Sequence, residues 1–299
     1  MDETKLDKLI HSSEYPLFKS MLNDVTQGDT IEKMKQIPDD SIDMVLVDLP
    51  YGTTQNKWDS VIPLPELWEQ YHRIVKINGA MVFTASGLFT AQLMLSNPKE
   101  YKYSYTWVKS KATNFLNAKR QPLRKHEDIL VFYRKQPTYN PQMTEGEAYN
   151  KGVRKDQVTG SYGDFNPVMV KSKGMRYPVD VLYFKTAESE GKVVHPTQKP
   201  VALGRYLIRT FSSPGDIVLD NTSGSGSFLV SALQEGRNFI GIEKNEDGAL
   251  FKKKPVDYIK ITRSRIKEAI KDIDAATLMH LKKINLLSEE DEVLTNEAK

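Results

Sequence analysis

One short segment of the sequence combines a carboxylate, a rigid turn and an aromatic ring. The apolar residues up to Val47 lead directly into Asp48-Leu49-Pro50-Tyr51, a pattern that predicts a buried strand with polar chemistry at its carboxyl end. An ionised Asp48 and the Leu49 carbonyl oxygen are both acceptors, and Pro50 restricts the backbone choices that would let them diverge. Two converging acceptors suit an NH2 group, and a ring such as that of Tyr51 stacks on a base with about 1–3 kcal/mol. The segment indicates a pocket for the exocyclic amine of a nucleobase, although a plain strand and turn would have the same letters.

A second segment combines glycines with small polar side chains. Residues 221–228, with the sequence NTSGSGSF, follow the apolar strand predicted at 216–220, and they predict a strand-to-helix turn where a ligand approaches the backbone closely. The next predicted strand ends in Glu243, about 20 residues farther on, where a carboxylate accepts hydrogen bonds from a ribose diol. These features indicate a nucleoside cofactor. NAD in an oxidoreductase is the alternative, but Leu229 lies where the third glycine of a G-x-G-x-x-G fingerprint would be.

These segments need a scaffold that brings them together, and the hydrophobic pattern predicts one. The strand 41–48, the helix 64–76 and the strand 80–84 form a βαβ unit with a right-handed crossover. Further alternation of strands and helices predicts an α/β fold, a doubly wound, mostly parallel sheet with helices on both faces. In such a sheet we expect residues 48–52 and 220–226 to lie side by side at one crevice.

Basic side chains cluster between residues 99 and 135, where Lys and Arg far outnumber Asp and Glu. Such clustering is the footprint of nucleic-acid binding, although isolated basic residues usually form only a solvated face. Residues 136–194 are irregular and rich in Gly, Pro, Tyr, Asn and Lys. Their aromatic residues and the strand-like segment 179–184 favour an ordered recognition element over a disordered linker.

Composition limits the possible classes of protein. The 299 residues are enough for one large α/β domain or for two domains. The net charge is only +3, so binding of nucleic acid would depend on local clusters. The absence of cysteine excludes disulfides and thiolate metal sites, and we expect no metal ion because no HExxH pattern is present. The first 15 residues lack an apolar signal region and no segment approaches the ~20 apolar residues of a membrane span, so we expect a cytoplasmic protein.

Taken together, these motifs resemble those of the DNA amino-methyltransferases that use S-adenosylmethionine, in the class whose catalytic motif precedes its cofactor motif. Residues 48–51 are similar to that family's Asp-Pro-Pro-Tyr signature, and residues 220–226 are similar to its Asp-Pro-Phe-x-Gly-x-Gly signature. Residues 195–200 match its His-Pro-Thr-x-Lys-Pro segment, and residues 107–109 and 126–132 look like its intervening strands. The resemblance extends in the right order over most of the chain.

The sequence departs from the family pattern at two places. Leu49 replaces the first proline of the catalytic signature, where the functional group is a main-chain carbonyl, so only the stiffness of the backbone changes. Asn221 and Thr222 replace the Pro-Phe of the cofactor signature, so the familiar aromatic residue beside the cofactor's adenine is missing. A DNA-binding relative without activity is the alternative that these departures leave open.

The resemblance implies a Rossmann-like methyltransferase fold with an irregular target-recognition insert. Residues 1–135 and 195–270 would form the catalytic and cofactor-binding halves of one α/β domain, residues 136–194 would form the insert, and residues 271–299 would form a helical tail. The implied partner is double-stranded DNA, without a membrane, in a protein encoded by a bacterium or a phage. The charged tail is expected to be a solvated helix, with a homodimer as the alternative.

The implied reaction is a direct methyl transfer. Hydrogen bonds from the NH2 group to Asp48 and to the Leu49 carbonyl would free the nitrogen lone pair for attack on the sulfonium methyl. The base would be flipped out of the duplex and stacked on Tyr51. We expect adenine N6 as the target, with cytosine N4 as the alternative because both amines present the same geometry. The four implied catalytic residues are Asp48, Leu49, Pro50 and Tyr51.

The resemblance also implies which residues bind the ligands. For Asp29, an N-cap of the helix after it is the alternative to a ligand role. The implied cofactor-binding residues are Asp29, Asp48, Lys199, Pro200, Asp220, Asn221, Thr222, Gly224, Ser225, Gly226, Ser227 and Glu243. We expect basic residues of the first cluster to hold DNA phosphates and those of the insert to read base edges. The phosphate set is Lys109, Lys119, Arg120, Arg124 and Lys125, and the base-reading set is Arg154, Lys171, Lys173 and Arg176.

Overall fold

The computed structural model describes residue 9 and residues 12–52, 61–154, 168–245 and 249–273. The helices, in chain order, are α1 (Phe18–Met21), α2 (Thr30–Met34), α3 (Leu64–Ile74), α4 (Leu88–Ser96), α5 (Val201–Phe211), α6 (Ser227–Gln234) and α7 (Tyr258–Lys271). The strands, in chain order, are β1 (Val25–Gln27), β2 (Ile42–Val47), β3 (Val75–Ala85), β4 (Tyr101–Thr113), β5 (Arg124–Phe132), β6 (Thr144–Glu145), β7 (Tyr149–Arg154), β8 (Val168–Ser172), β9 (Met175–Arg176), β10 (Val181–Phe184), β11 (Ile217–Asp220), β12 (Asn238–Glu243), β13 (Leu250–Phe251) and β14 (Lys254–Pro255). The chain divides into two compact units; the described residues of one lie within 1–140 and 180–299, and those of the other lie within 141–179.

The larger unit is built on an eight-stranded sheet with the order β1-β12-β11-β2-β3-β5-β4-β10. The neighbouring pairs are parallel except the two that involve β5, which is antiparallel to both β3 and β4. The carboxyl ends of the parallel strands therefore lie at one edge of the sheet, together with the amino end of β5. This topology confirms the predicted mostly parallel sheet.

Helices cover both faces of this sheet. One buried apolar cluster joins α5, α6 and α7 to the sheet and contains Leu46 of β2. A second cluster joins α3 and α4 to the opposite face and contains Val45, the preceding residue of the same strand. Successive side chains of a strand point to opposite faces, and a strand buried on both faces is almost continuously apolar. The apolar run before Asp48 thus has the physical cause predicted from the sequence.

The junction between α3 and β3 differs from the prediction. The predicted helix reached Lys76, but α3 ends at Ile74 and Val75 is already paired with Ile42 of β2. The register then shifts, so that Met44 pairs with Ala80. Within this irregular part of β3, a Cβ added to Gly79 would lie 2.9 Å from the carbonyl oxygen of Asp43. Gly79, between the predicted helix and the predicted strand, thus permits a close approach of two strands.

The smaller unit, residues 141–179, contains two antiparallel pairs, β6 with β9 and β7 with β8. The predicted insert was longer, from 136 to 194, because segment 179–184 was assigned to it. In the structure, β10 pairs in parallel with β4 at the edge of the main sheet. The sequence pattern predicted this strand, but a strand pattern does not identify the sheet that the strand joins.

Two further expectations concern membranes and the tail. Within the part of the chain that the structure describes, no helix has the length and apolar content needed to cross a membrane. Most of the predicted tail, from residue 274 onwards, lies outside the described residues. Dimerisation through this tail therefore stays a prediction.

Candidate active site

A cavity of about 740 Å³ lies at the edge of the sheet where the carboxyl ends of the parallel strands meet. Both segments that the sequence indicated contribute to its lining, the first with residues 48–51 and the second with Asp220 and residues 222–225. They are joined directly, because the Thr222 hydroxyl donates a hydrogen bond to the main-chain oxygen of Asp48 over 3.0 Å. The predicted juxtaposition of the two segments is confirmed.

The Asp48 carboxylate is fixed by side chains from three parts of the chain. Its Oδ1 accepts hydrogen bonds from the Tyr51 hydroxyl, at 2.8 Å, and from the Thr84 hydroxyl at the end of β3. Its Oδ2 lies 2.6 Å from Nζ of Lys199, just before α5. A carboxylate oxygen has two lone pairs, so Oδ2 keeps one acceptor position beside its bond to Lys199. The carboxylate is therefore held in one orientation while an acceptor remains for an amine.

An alternating row of charges continues behind Asp48. Lys199 Nζ is also 3.4 Å from Oε2 of Glu127, and Lys109 Nζ is 3.0 Å from the other oxygen, Oε1. Only 8% of the Lys199 side chain and 15% of the Glu127 side chain are exposed. The row Lys109, Glu127, Lys199, Asp48 thus alternates in sign in a largely buried site, the arrangement in which buried charges compensate one another.

The pKa shifts agree with this arrangement. Burial works against the charged form of Lys199, but the negative charges of Asp48 and Glu127 outweigh it and the pKa of Lys199 is raised. Burial likewise opposes ionisation of Glu127, but Lys199 and Lys109 outweigh it and the pKa of Glu127 is lowered. Both groups are therefore charged near neutral pH.

The structure corrects the prediction that Lys109 contacts phosphate. Its side chain is buried, with 3% of the residue exposed, because it points from β4 to Glu127 on the adjacent strand β5. Neither Glu127 nor Thr84 was predicted as a site residue. Glu127 reaches this edge of the sheet only because β5 runs opposite to its neighbours. The local sequence contains no signal for that direction.

Tyr51 is held on two sides. Its ring stacks on Phe89 of α4 with the centroids 5.1 Å apart and an interplanar angle of 24°, and its hydroxyl is bonded to Asp48. Burial, together with the nearby negative charge of Asp48, raises the pKa of Tyr51, so the phenol stays protonated. The predicted stacking of a base on this ring stays a prediction. Leu49, buried, and Pro50 also line the cavity.

The glycine turn forms the other side of the cavity, and glycine is required there. Gly224 and Gly226 have φ of 52° and 74°, in the left-handed region. A Cβ on Gly226 would lie 3.0 Å from Oγ1 of Thr262 in α7. The Gly224 N–H donates to Oε2 of Glu243 over 2.8 Å, so the predicted ribose acceptor at the end of β12 also anchors the turn.

Three residues predicted to bind the cofactor do not line the cavity: Pro200, Asn221 and Gly226. Pro200 and Gly226 are the N-cap residues of α5 and α6. Asn221 is fully buried behind the turn. Its Oδ1 accepts a hydrogen bond from the Tyr71 hydroxyl over 2.7 Å, and its carbonyl accepts one from Thr30 over 2.6 Å. These three residues support the wall of the cavity without lining it. For Asn221 the reason is that the chain turns inward directly after the end of β11.

The remaining predicted cofactor residues do line the cavity. Asp29 caps α2 by accepting from the N–H groups of Ile31 and Glu32 at 2.9 and 3.2 Å, so its N-cap role is confirmed while a ligand role stays a prediction.

Burial raises the pKa of Asp220, at the end of β11, well above its usual value. Arg265 of α7 donates to the carbonyl of Ser225 over 2.6 Å, which ties the turn to that helix.

His195 is a cavity residue that was not among the predicted ligands. Its ring packs edge-on against Tyr258, with the centroids 4.7 Å apart. Its Nδ1 lies 3.2 Å from the main-chain N–H of Thr197 and accepts from it. Burial, with the positive charges of Lys199 and Arg265, lowers the pKa of His195 to about 4. The imidazole is therefore neutral near pH 7. Its place in the His-Pro-Thr-x-Lys-Pro segment was the signal that could have identified it.

Other predicted DNA contacts are mostly exposed. Lys119, Arg120, Arg124 and Lys125 are exposed in and beside the loop between β4 and β5, and Arg124 lines the cavity. In the smaller unit, Lys171 and Lys173 are exposed, and the side chain of Arg154 lies outside the described residues. Arg176 instead packs within its own unit, with its guanidinium 4.6 Å from the centroid of the Tyr149 ring and a hydrogen bond to the carbonyl of Glu147.

The sequence of the chain is similar to those of known DNA methyltransferases. A family model for N6 and N4 enzymes, described as DNA methylase, matches residues 42–249. DNA adenine methyltransferase YhdJ of Escherichia coli (strain K12) is 30% identical over 248 residues, which cover 75% of this chain and 79% of that protein. Type II methyltransferase M.BglII of Bacillus subtilis is 28% identical over 261 residues, 77% of this chain and 67% of that protein.

Solved structures show a similar fold. The crystal structure of an M1.HpyAVI–SAM complex has a TM-score of 0.54 and 23% identity, and covers 81% of this chain and 98% of that chain. The PvuII DNA methyltransferase, described as cytosine-N4-specific, has a TM-score of 0.55 and 15% identity, and covers 87% of this chain and 91% of that chain.

Proposed function

Since the chain belongs to the DNA methylase family of N6 and N4 enzymes, we propose that it methylates the N6 amine of an adenine flipped out of double-stranded DNA. It is a DNA methyltransferase, and S-adenosylmethionine is the methyl donor of this family. One observation carries the assignment of the site: the Asp48 carboxylate is fixed in the same cavity as the glycine turn and Glu243. The choice of adenine is supported by the relative at 30% identity, which is named an adenine methyltransferase.

The residues on the turn side of the cavity fit S-adenosylmethionine. Ser223 Oγ is buried there and has no hydrogen-bond partner among the described residues, as expected of a group that a ligand would satisfy. Carboxylates of the lining suit a ligand that carries a positive sulfonium, which supplies an electrophilic methyl group when bound. The residues that would hold it are Asp29, Asp220, Thr222, Ser223, Gly224, Ser225, Ser227 and Glu243.

Asp48 has the central role toward the base. Its free acceptor position on Oδ2 and the main-chain carbonyl of Leu49 would accept the two hydrogens of the amine. This fixes the nitrogen and weakens the delocalisation of its lone pair into the ring, which makes it a better nucleophile. As the nitrogen gains positive charge during transfer, the Asp48 carboxylate stabilises that charge and then accepts the proton that the product amine loses.

Lys199, which the resemblance implied as a cofactor residue, would act on Asp48 instead. Its bond to Oδ2 and the bonds of Tyr51 and Thr84 to Oδ1 keep the carboxylate from rotating. Glu127 compensates the charge of Lys199 from behind. The position of the acceptor is therefore set before the base arrives, which is the preorganisation on which electrostatic catalysis depends.

Exposed basic side chains are the groups that would contact the rest of the DNA. Lys119, Arg120, Arg124 and Lys125 would hold phosphates, which position the duplex without reading its sequence. Residues of the smaller unit, among them Lys171 and Lys173, would read base edges. This division gives the smaller unit, which has its own strands, the reading of sequence, while the cavity of the α/β unit would serve the cofactor and the flipped base.

One experiment tests the activity and its target atom together. The protein is incubated with labelled S-adenosylmethionine and genomic DNA from a methylation-deficient host, and the digested DNA is analysed by mass spectrometry. We expect N6-methyladenine. N4-methylcytosine would overturn the adenine assignment, and absence of both would overturn the proposed activity. Thermal stabilisation by S-adenosylhomocysteine, with none by NAD, is expected in parallel, and the opposite result would favour an oxidoreductase.

A further inference from the structure

The loop between β4 and β5 presents two neighbouring apolar side chains to solvent. Phe115 and Leu116 are 74% and 86% exposed, and lie in a short 3-10 turn, Phe115–Asn117. Leu123, farther along the loop, is also 46% exposed. Single exposed apolar residues are common, but an aromatic and an aliphatic side chain next to each other at the tip of a loop form a surface that favours contact with a partner.

The exposure of this pair is built into the loop. Asn114 has a φ of 69°, a left-handed conformation that asparagine tolerates well, and its Oδ1 accepts from the Asn117 side chain over 2.8 Å. The main-chain N–H of Arg120 donates to the carbonyl of Asn117 over 2.8 Å. The turn is therefore closed by hydrogen bonds between its own polar groups. Phe115 and Leu116 point outward and do not pack in the hydrophobic core.

The surroundings of the pair indicate what kind of partner it meets. Residues 110–125 contain no Asp or Glu. Their basic residues are Lys111, Lys119, Arg120, Arg124 and Lys125, all exposed. An apolar tip on a loop whose own charges are all positive suits a partner with an anionic exterior and an apolar interior. A DNA duplex, with phosphates outside and stacked bases inside, has this chemistry.

The loop also begins and ends at the active-site cavity. Thr113 and Arg124, which flank it, both line the cavity that contains Asp48. They are paired across β4 and β5, and the Thr113 hydroxyl donates to the Arg124 carbonyl over 3.2 Å. A duplex held with one base in the cavity would therefore have its adjoining base steps close to this loop.

We propose that Phe115 and Leu116 enter the duplex at the position that the flipped base leaves and replace its stacking contacts. The inference rests on the proposed function, since it needs a flipped base. Flipping leaves a gap whose neighbours have lost a stacking partner, and proteins fill such gaps with apolar side chains. The basic residues of the loop hold the phosphates on both sides, so that Phe115 and Leu116 need not bind tightly by themselves.

The test compares two duplexes that contain the site methylated by the wild type, as found by methylome sequencing. In one the target base is paired, and in the other it faces an abasic site, so that no base pair has to be broken for flipping and the need for a wedge is smaller. The double variant F115A/L116A should transfer the methyl group roughly tenfold more slowly on the paired duplex and within about twofold of wild type on the other. L95A is the matched control, since Leu95 is 77% exposed on α4 and does not line the cavity; it should match wild type on both.

A fluorescent base gives a second readout. With 2-aminopurine at the target position, its fluorescence should rise when the wild type binds and should rise less when F115A/L116A binds. The single variant F115W keeps an aromatic ring at this position and should give the same rise as the wild type. S-adenosylhomocysteine should stabilise all variants equally, which shows that each is folded.

The outcomes separate the inference from the proposed function. Equal losses on the two duplexes, or no loss on either, would overturn the wedge role while the wild type remains active. Loss of binding to anionic lipid vesicles, with unchanged methylation, would assign the loop to a lipid surface and overturn it as well. Methylome sequencing that finds no site methylated by the wild type would overturn the proposed function itself.

Discussion

The two sides of the active-site cavity are constructed differently. The turn after β11 is held through main-chain groups: its glycines are left-handed, the Gly224 N–H donates to the Glu243 carboxylate, and the Ser225 carbonyl accepts from Arg265. The carboxylate after β2 is held by side chains of Thr84, Lys199 and, behind it, Glu127, which come from distant parts of the chain. The first side therefore depends on backbone conformation and main-chain hydrogen bonds, and the second on long-range charge pairing. Substitutions should distinguish the two.

The largest effect is expected at Asp48. Asp48→Ala should lower the single-turnover rate of methyl transfer by at least about a thousandfold, because the acceptor that activates the amine is lost. Stabilisation by S-adenosylhomocysteine should remain nearly intact, since the turn side is built separately. Asp43→Ala is the control, because Asp43 also lies on β2 but binds Lys76 and the Ile217 N–H away from the cavity. A similar rate loss there would attribute the effect to a weakened sheet.

A smaller effect is expected from Glu127, which acts through Lys199. Glu127→Gln should lower kcat roughly tenfold and leave KM for S-adenosylmethionine unchanged, since the positions of Lys199 and Asp48 become less restricted. Glu235→Gln removes another largely buried carboxylate, which pairs with Arg205 and Arg209 away from the cavity, and should change neither constant. Unchanged kcat in Glu127→Gln, or equal effects of the two variants, would contradict the positioning role.

The turn side is tested by a pair of glycines with the same conformation. Gly226 has a φ of 74° and Gly152 a φ of 70°, but a Cβ would meet Thr262 only at Gly226 and would meet nothing within 4 Å at Gly152. Both substitutions to Ala cost about 1–2 kcal/mol of stability from the left-handed backbone. Gly226→Ala should lose more, and it should weaken binding of S-adenosylhomocysteine in calorimetry. Equal losses would mean that crowding against α7 does not shape the turn.

The last prediction concerns pH and stability, with no expected effect on the reaction near neutral pH. The pKa of His195 in the folded chain, about 4, lies below the value of about 6.5 in an unfolded chain. The unfolded state therefore takes up a proton first as pH falls, and the stability present above pH 6.5 is lost progressively toward pH 4, by at most about 3 kcal/mol. Thermal unfolding at pH 7.5 and 5.0 should show a smaller difference for His195→Asn than for wild type. Identical differences would exclude His195 as the titrating group.

The contrast between the two sides also explains what the sequence could predict. The strand before Asp48 and the glycine turn were predicted correctly, because their signals are an apolar run and a pair of glycines within short segments. The predicted juxtaposition of the two segments followed from the general geometry of parallel sheets.

Some residues have roles that depend on the direction of a strand or on its register with its neighbours, and these roles were not predictable from short sequence segments. Lys109 looked like one of many surface lysines, and only the pairing of β4 with the antiparallel β5 shows that it is buried against Glu127. Asn221 lies inside the cofactor motif, yet its side chain turns away from the cavity to Tyr71. A motif locates a segment of chain, whereas the orientation of each side chain depends on the packing around it.

The position of β2 in the sheet has a consequence for synthesis of the chain. One neighbour of β2 is β3, which follows soon after, but the other is β11, and the hydrogen-bonded residues Asp43 and Ile217 are 174 positions apart. At a translation rate of 5–20 residues per second, roughly 10–35 s separate the appearance of the two strands on the ribosome. During that interval the apolar edge of β2 has no partner strand, and an open edge invites pairing with other chains. The nascent chain thus carries an aggregation-prone strand until its last third emerges, so cotranslational chaperones should improve its yield.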